Sequence, residues 1–67
     1  MKLRIENLDS DSPKKGEVRI INYPFGAKEF CALHFPTGFY KLSKVGKTYN
    51  VSCPFTGEVL YTVSEVK

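Results

Sequence analysis

The chain has 67 residues, of which 42% are hydrophobic, and its nine aromatic residues comprise five Phe and four Tyr. A chain of this length forms one domain with a small core, and its apolar content is too high for a disordered segment. Its formal net charge of +3 favours solubility as readily as it favours an acidic partner.

The sequence has no run of about 20 apolar residues, the length that a membrane-spanning helix needs. Residues 1–6 alternate charged and apolar side chains, a pattern unlike that of a secretory signal. We therefore expect a single cytoplasmic domain over residues 1–67, without a membrane partner.

Turn signals divide the chain into short runs that are rich in β-branched and aromatic residues, a pattern typical of strands. A polar loop over residues 7–15 follows the first run. The fold class predicted is all-β: a small antiparallel meander of about six short strands, closed or partly open as a barrel, of SH3-like or OB-like size. The predicted strands are residues 2–6, 17–23, 29–35, 39–44, 48–53 and 58–66.

Alternation predicts which side chains of each strand face the core. In residues 17–23, Val18 and Ile20 are predicted to point inward and Arg19 outward. The run 29–35 is apolar on both faces, which predicts a central strand that is covered on both sides. The sequence Val45-Gly46-Lys47 predicts a tight hairpin, because glycine supplies the positive φ that such turns require.

Two segments carry cysteine beside turn residues: Cys31-Ala32-Leu33-His34, and Cys53-Pro54-Phe55-Thr56-Gly57. Together they resemble the paired knuckles of a zinc ribbon, in a degenerate form in which Thr56 replaces the fourth ligand. The resemblance implies Cys31, His34 and Cys53 as ligands, one fewer than a structural zinc site uses.

Each cysteine lies on the same predicted strand face as apolar residues, which favours the alternative that both are small buried residues of the core. A Cys31–Cys53 disulfide and a metal site remain as alternatives. We expect no cofactor, and favour no metal.

Catalysis is not expected from this sequence. It holds no phosphate-binding or nucleotide-binding fingerprint, and strand parity separates Cys31 from His34. The chain also leaves little room for a substrate pocket, so a small-molecule substrate is not expected either.

The positive charge is concentrated in one part of the chain. No carboxylate lies between Glu29 and Glu58, whereas three lysines do, and the other seven Lys and Arg residues balance the seven acids. The basic segment 39–49 interleaves lysines with aromatics, as proteins that bind single-stranded nucleic acid do. Its candidate contact residues, for nucleic acid or for another partner, are Phe39, Lys41, Lys44, Lys47 and Tyr49.

A small β-domain of this kind also suits a protein partner, because an unpaired edge strand can pair with a strand of another chain. The function predicted is therefore a non-enzymatic binding module: an adaptor, subunit or inhibitor of a larger complex. The alternatives are a nucleic-acid-binding barrel and a degenerate zinc-ribbon interaction domain.

Overall fold

A computed structural model describes residues 1–66, which form five strands and one short helix. Neighbouring strands are antiparallel throughout, which confirms the predicted all-β class. The elements are β1 (Lys2–Asn7), β2 (Val18–Asn22), α1 (Ala27–His34), β3 (Lys41–Val45), β4 (Thr48–Ser52) and β5 (Val59–Val66).

The strands form one sheet in the order β2-β1-β5-β4-β3. The last strand of the chain, β5, lies at the centre between β1 and β4, and α1 lies in the connection from β2 to β3. Within residues 1–66 the sheet is open rather than closed into a barrel, so β2 and β3 are its edges.

The strand predicted over residues 29–35 is wrong, because this segment belongs to α1. Ala27, Phe30 and Cys31 are buried and lie at spacings of three and four residues, which is one face of a helix. Gly26 caps the helix start in an extended conformation. Leu33, which a strand would place on the same side as Cys31, points outward and is 68% exposed.

The core lies between α1 and one side of the sheet, which we call the helix side. Alternation in β1 and β4 places Leu3 and Val51 there, as the sequence predicted, and both are fully buried. The core residues are Leu3, Val51 and Val63 from the three central strands, with Ala27, Phe30 and Cys31 from the helix.

The predicted orientation of β2 is also wrong. Ile21 pairs with Leu3 and Arg19 pairs with Ile5, so Arg19 and Ile21 lie on the helix side. Val18 and Ile20 lie on the opposite, open side, where they are 43% and 54% exposed. The edge strand therefore presents apolar side chains to solvent.

The hairpin between β3 and β4 has the predicted turn. Val45 pairs with Thr48 across a two-residue loop, and Gly46 has a φ of +61°, a conformation that side chains with a Cβ adopt at a cost.

Candidate functional site

Three of the five predicted contact residues lie around one cavity. Lys44 and Tyr49 are cross-strand partners on the helix side, with the Lys44 Nζ 5.6 Å from the centre of the Tyr49 ring. Lys47, in the hairpin turn, completes the group. A cavity of about 440 Å³ is lined by these residues together with Met1, Glu65 and Val66.

The other two predicted residues lie elsewhere. Lys41 pairs with Ser52 at the opposite end of β3, and strand alternation puts its side chain on the open side. Phe39 precedes β3 in a turn and is 75% exposed. The basic segment is thus divided between two sides of the sheet.

The cavity beside Lys44 carries a small positive charge, because two lysines outnumber the single carboxylate of Glu65. Within residues 1–66 the only side-chain ion pair joins Arg4 to Glu6. The Glu65 carboxylate instead accepts a hydrogen bond from the Ala27 backbone N–H at 3.4 Å. Among the residues that the structure describes, neither Lys44 nor Lys47 has an ion-pair partner, which favours an anionic ligand here.

The β2 edge was not among the predicted contact residues. The Tyr23 N–H donates to the Met1 carbonyl at 2.8 Å, and the Asn7 N–H donates to the Glu17 carbonyl at 2.9 Å. Since hydrogen-bonded pairs alternate along an antiparallel ladder, the odd-numbered residues of β2 bond to β1. The N–H and C=O groups of Val18, Ile20 and Asn22 therefore point away from the sheet.

The opposite edge, β3, has a different character. Its sequence includes Lys41 and Lys44, with Lys47 following in the hairpin turn. Lysines on an edge strand disfavour pairing with another chain. In contrast, β2 has no lysine, proline or register shift. The sequence feature that could have indicated an apolar edge strand is the run of Val18, Ile20 and Ile21 around a single Arg19.

Turn aromatics divide into packed and exposed residues. The Phe35 ring lies 5.3 Å from that of Tyr40 and 5.1 Å from that of Tyr61, so it covers the core. Phe55, in contrast, is 94% exposed.

The two cysteines are free and lie in different environments. Cys31 is in the core, as predicted, and burial raises the pKa of its thiol to about 11. Cys53 is only partly buried, in the turn after β4. The hydroxyl of Thr56 and the backbone N–H groups of Thr56 and Phe55 donate to its sulfur and lower its pKa.

His34 ends α1, exposed, with its ring 4.4 Å from that of Phe30. Within residues 1–66, no three His, Cys, Asp or Glu side chains are grouped so that they could hold a metal ion. As placed, Cys31, His34 and Cys53 do not form a ligand set. Zinc binding stays an untested alternative, and metal analysis of protein purified without chelator tests it.

We expect a thiol titration to show one group that reacts in the folded protein and one that reacts only after denaturation. Cys53 should react with iodoacetamide with a half-maximal rate at a pH below the usual thiol value, because hydrogen bonds stabilise its thiolate. Cys31 should react only after denaturation. The Cys53→Ser and Cys31→Ala variants assign the two phases; equal rates in the folded state would contradict both environments.

No helix in the part of the chain that the structure describes is long and apolar enough to cross a membrane. Comparison of the chain with protein-family models, curated proteins and solved structures found no match.

Proposed function

We propose that this chain is a protein-binding module that takes an extended segment of its partner as a sixth strand beside β2. The observation that carries the proposal is the β2 edge itself. Its outward N–H and C=O groups are a template for a further strand, and its exposed side chains, Val18 and Ile20, offer apolar contact.

The physical source of affinity is the main chain. In strand addition, backbone hydrogen bonds supply affinity, and alternate side chains supply specificity. Val18, Ile20 and Asn22 together provide three outward N–H donors and three outward C=O acceptors. On the open side, a partner residue with a β-branched or aromatic side chain would pack across from Ile20, a pairing that stabilises sheets.

A proline at position 20 tests this directly. Ile20→Pro removes an outward N–H donor but leaves the bonds to β1, because the ladder to β1 uses odd-numbered residues of β2. The matched control, Ile20→Thr, keeps the N–H and the β-branched side chain. The tagged chain and both variants are used in pull-downs from the cells of origin, with and without nuclease.

We expect a protein that is retained by the parent chain and by Ile20→Thr, is lost from Ile20→Pro, and is insensitive to nuclease. Circular dichroism checks that each variant is folded. Retention of every partner by folded Ile20→Pro would overturn the proposal.

A second candidate function is binding of nucleic-acid phosphates at the cavity lined by Lys44, Lys47 and Tyr49. The gathering of two lysines and one aromatic ring there supports it, since aromatic rings stack on bases while lysines contact phosphates. Two lysines supply few phosphate contacts, so this function predicts weak and salt-sensitive binding.

Charge reversal tests the second candidate. With a fluorescent single-stranded oligonucleotide, two phosphate contacts give a slope of about −1.4 in a plot of log affinity against log salt. Lys44→Glu/Lys47→Glu should abolish the binding, whereas Lys15→Glu/Lys28→Glu, with the same change in charge, should weaken it far less. Equal losses in the two double variants would show that net charge alone drives the binding.

A further inference from the structure

A groove of about 360 Å³ lies on the helix side of the sheet, between α1 and the β2 edge. Its apolar lining comes from Ile5, Phe30, Phe35 and Tyr61. The helix packs mainly against β4 and β5, which leaves space beside it over β1 and β2. The groove reaches the edge strand at Arg19, so an added strand would lie next to it.

The rim of this groove is basic. Lys14 and Arg19 line it with one carboxylate, Glu17, and with His34 at the end of the helix. Two cations and one carboxylate leave a formal charge of +1 when His34 is neutral. Neither cation is ion-paired with Glu17, because the only ion pair within residues 1–66 is on the open side.

Hydrogen bonds in the preceding loop hold Lys14 beside the strand. Its backbone N–H donates to the Ser12 hydroxyl at 3.1 Å, and its carbonyl accepts from the Glu17 N–H at 3.0 Å. The backbone of the rim is therefore ordered without a ligand, which lowers the entropic cost of binding.

We infer that this groove receives an acidic side chain of the strand added beside β2, an inference that rests on the proposed function. Alternation along the added strand directs every second side chain to the helix side. The side chain opposite Arg19 meets the basic rim, where a carboxylate accepts charge-assisted hydrogen bonds from guanidinium and ammonium groups. The partner segment is thus an extended peptide with apolar residues facing Ile20 and Asp or Glu facing Arg19.

A second copy of this chain does not fit as the occupant. It would bring its own Arg19 to the helix side of the joined sheet, near the same basic rim. Like charges on neighbouring strands are destabilising, whereas an acidic segment complements them.

A displayed library of random decapeptides, selected against the immobilised full chain, tests the inference. We expect enrichment of alternating apolar residues with one Asp or Glu at a fixed position. Synthetic selected peptides should lose about tenfold or more in affinity for Lys14→Gln/Arg19→Gln, the loss expected when charge-assisted hydrogen bonds are removed. Lys15→Gln/Lys28→Gln, which removes the same charge outside the groove, should bind as the parent does.

The outcomes separate the two proposals. Peptides without acidic residues that bind the Lys14→Gln/Arg19→Gln variant normally and are lost on Ile20→Pro would overturn the acidic groove but not strand addition. Acidic peptides that need Lys14 and Arg19 but tolerate Ile20→Pro would overturn strand addition. Equal losses of affinity in Lys14→Gln/Arg19→Gln and in its charge-matched control would overturn the acidic groove alone. The absence of any enriched peptide would overturn both proposals.

Discussion

Replacing Phe30 with alanine is expected to lower the free energy of unfolding by about 3–5 kcal/mol, the usual loss for a buried Phe. Phe30 is 7% exposed, and its ring packs edge-on against Tyr23 at 5.3 Å and near Phe35 at 6.2 Å. It joins α1 to the sheet. Because a domain of this size has a stability of only about 3–10 kcal/mol, much of it depends on this side chain.

Urea denaturation followed by circular dichroism measures the loss. Phe55→Ala is the matched control: the same atoms are removed from a side chain that is 94% exposed, so the change should stay within about 0.5 kcal/mol. If Phe30→Ala is unfolded without urea, Phe30→Leu should still fold with a loss of about 1–2 kcal/mol. Equal stabilities of Phe30→Ala and Phe55→Ala would contradict the packing of α1 on the sheet.

Proline is expected to lower the stability far more at position 21 than at position 20. The Ile21 N–H points to β1, so Ile21→Pro removes a ladder hydrogen bond and leaves the carbonyl of buried Leu3 without its donor. An unsatisfied buried group costs about 1–3 kcal/mol, and half-buried apolar surface of Ile21 is lost as well. Ile20→Pro removes a donor that faces solvent, which edge strands tolerate.

Urea denaturation measures the free energy of unfolding of both variants, and that of Ile20→Pro should be higher by about 2 kcal/mol or more. Amide hydrogen exchange gives an independent measurement on the parent chain: Ile20 should exchange quickly and Ile21 slowly. Slow exchange at Ile20 in the monomer would mean that the outer edge of β2 is already paired. This result would contradict both the orientation of β2 and the proposal that a partner strand binds there.

The side of a strand that faces the core was predictable where apolar residues alternate strictly with polar ones. Leu3 and Ile5 in β1, and Tyr49 and Val51 in β4, have polar neighbours, so only one side of each strand can face the core. The turn at Gly46 was predictable for an equally local reason, its positive φ. The separation of Lys41 from Lys44 also follows from alternation, since residues three apart lie on opposite sides of a strand.

The orientation of β2 was not predictable from its own residues. Val18 and Ile20 lie on one side of the strand and Ile21 lies on the other, so either orientation of β2 would bury β-branched side chains. Pairing with β1 decides which side of β2 faces the core, because Ile21 lies opposite the buried Leu3. The consequence is functional, since the apolar residues expected in the core instead form the exposed edge.

The helix shows a similar dependence on tertiary contacts. A helix of eight residues is not stable alone, and the run around Phe30 is apolar enough to form a strand. Packing against β4 and β5 favours the helix, because only helical spacing places Ala27, Phe30 and Cys31 on one face.

By itself, the sequence determined the all-β class, the turns, the core side of β1 and β4, and the stretch without acids that carries Lys44 and Lys47. These features follow from local sterics and alternation, which need no distant partner. Only the tertiary structure decided that β5 is the central strand, that α1 covers one side, and that β2 presents Val18 and Ile20 at an edge. Each of these depends on burying apolar surface between segments far apart in the chain, and a pattern within one segment does not specify its partner.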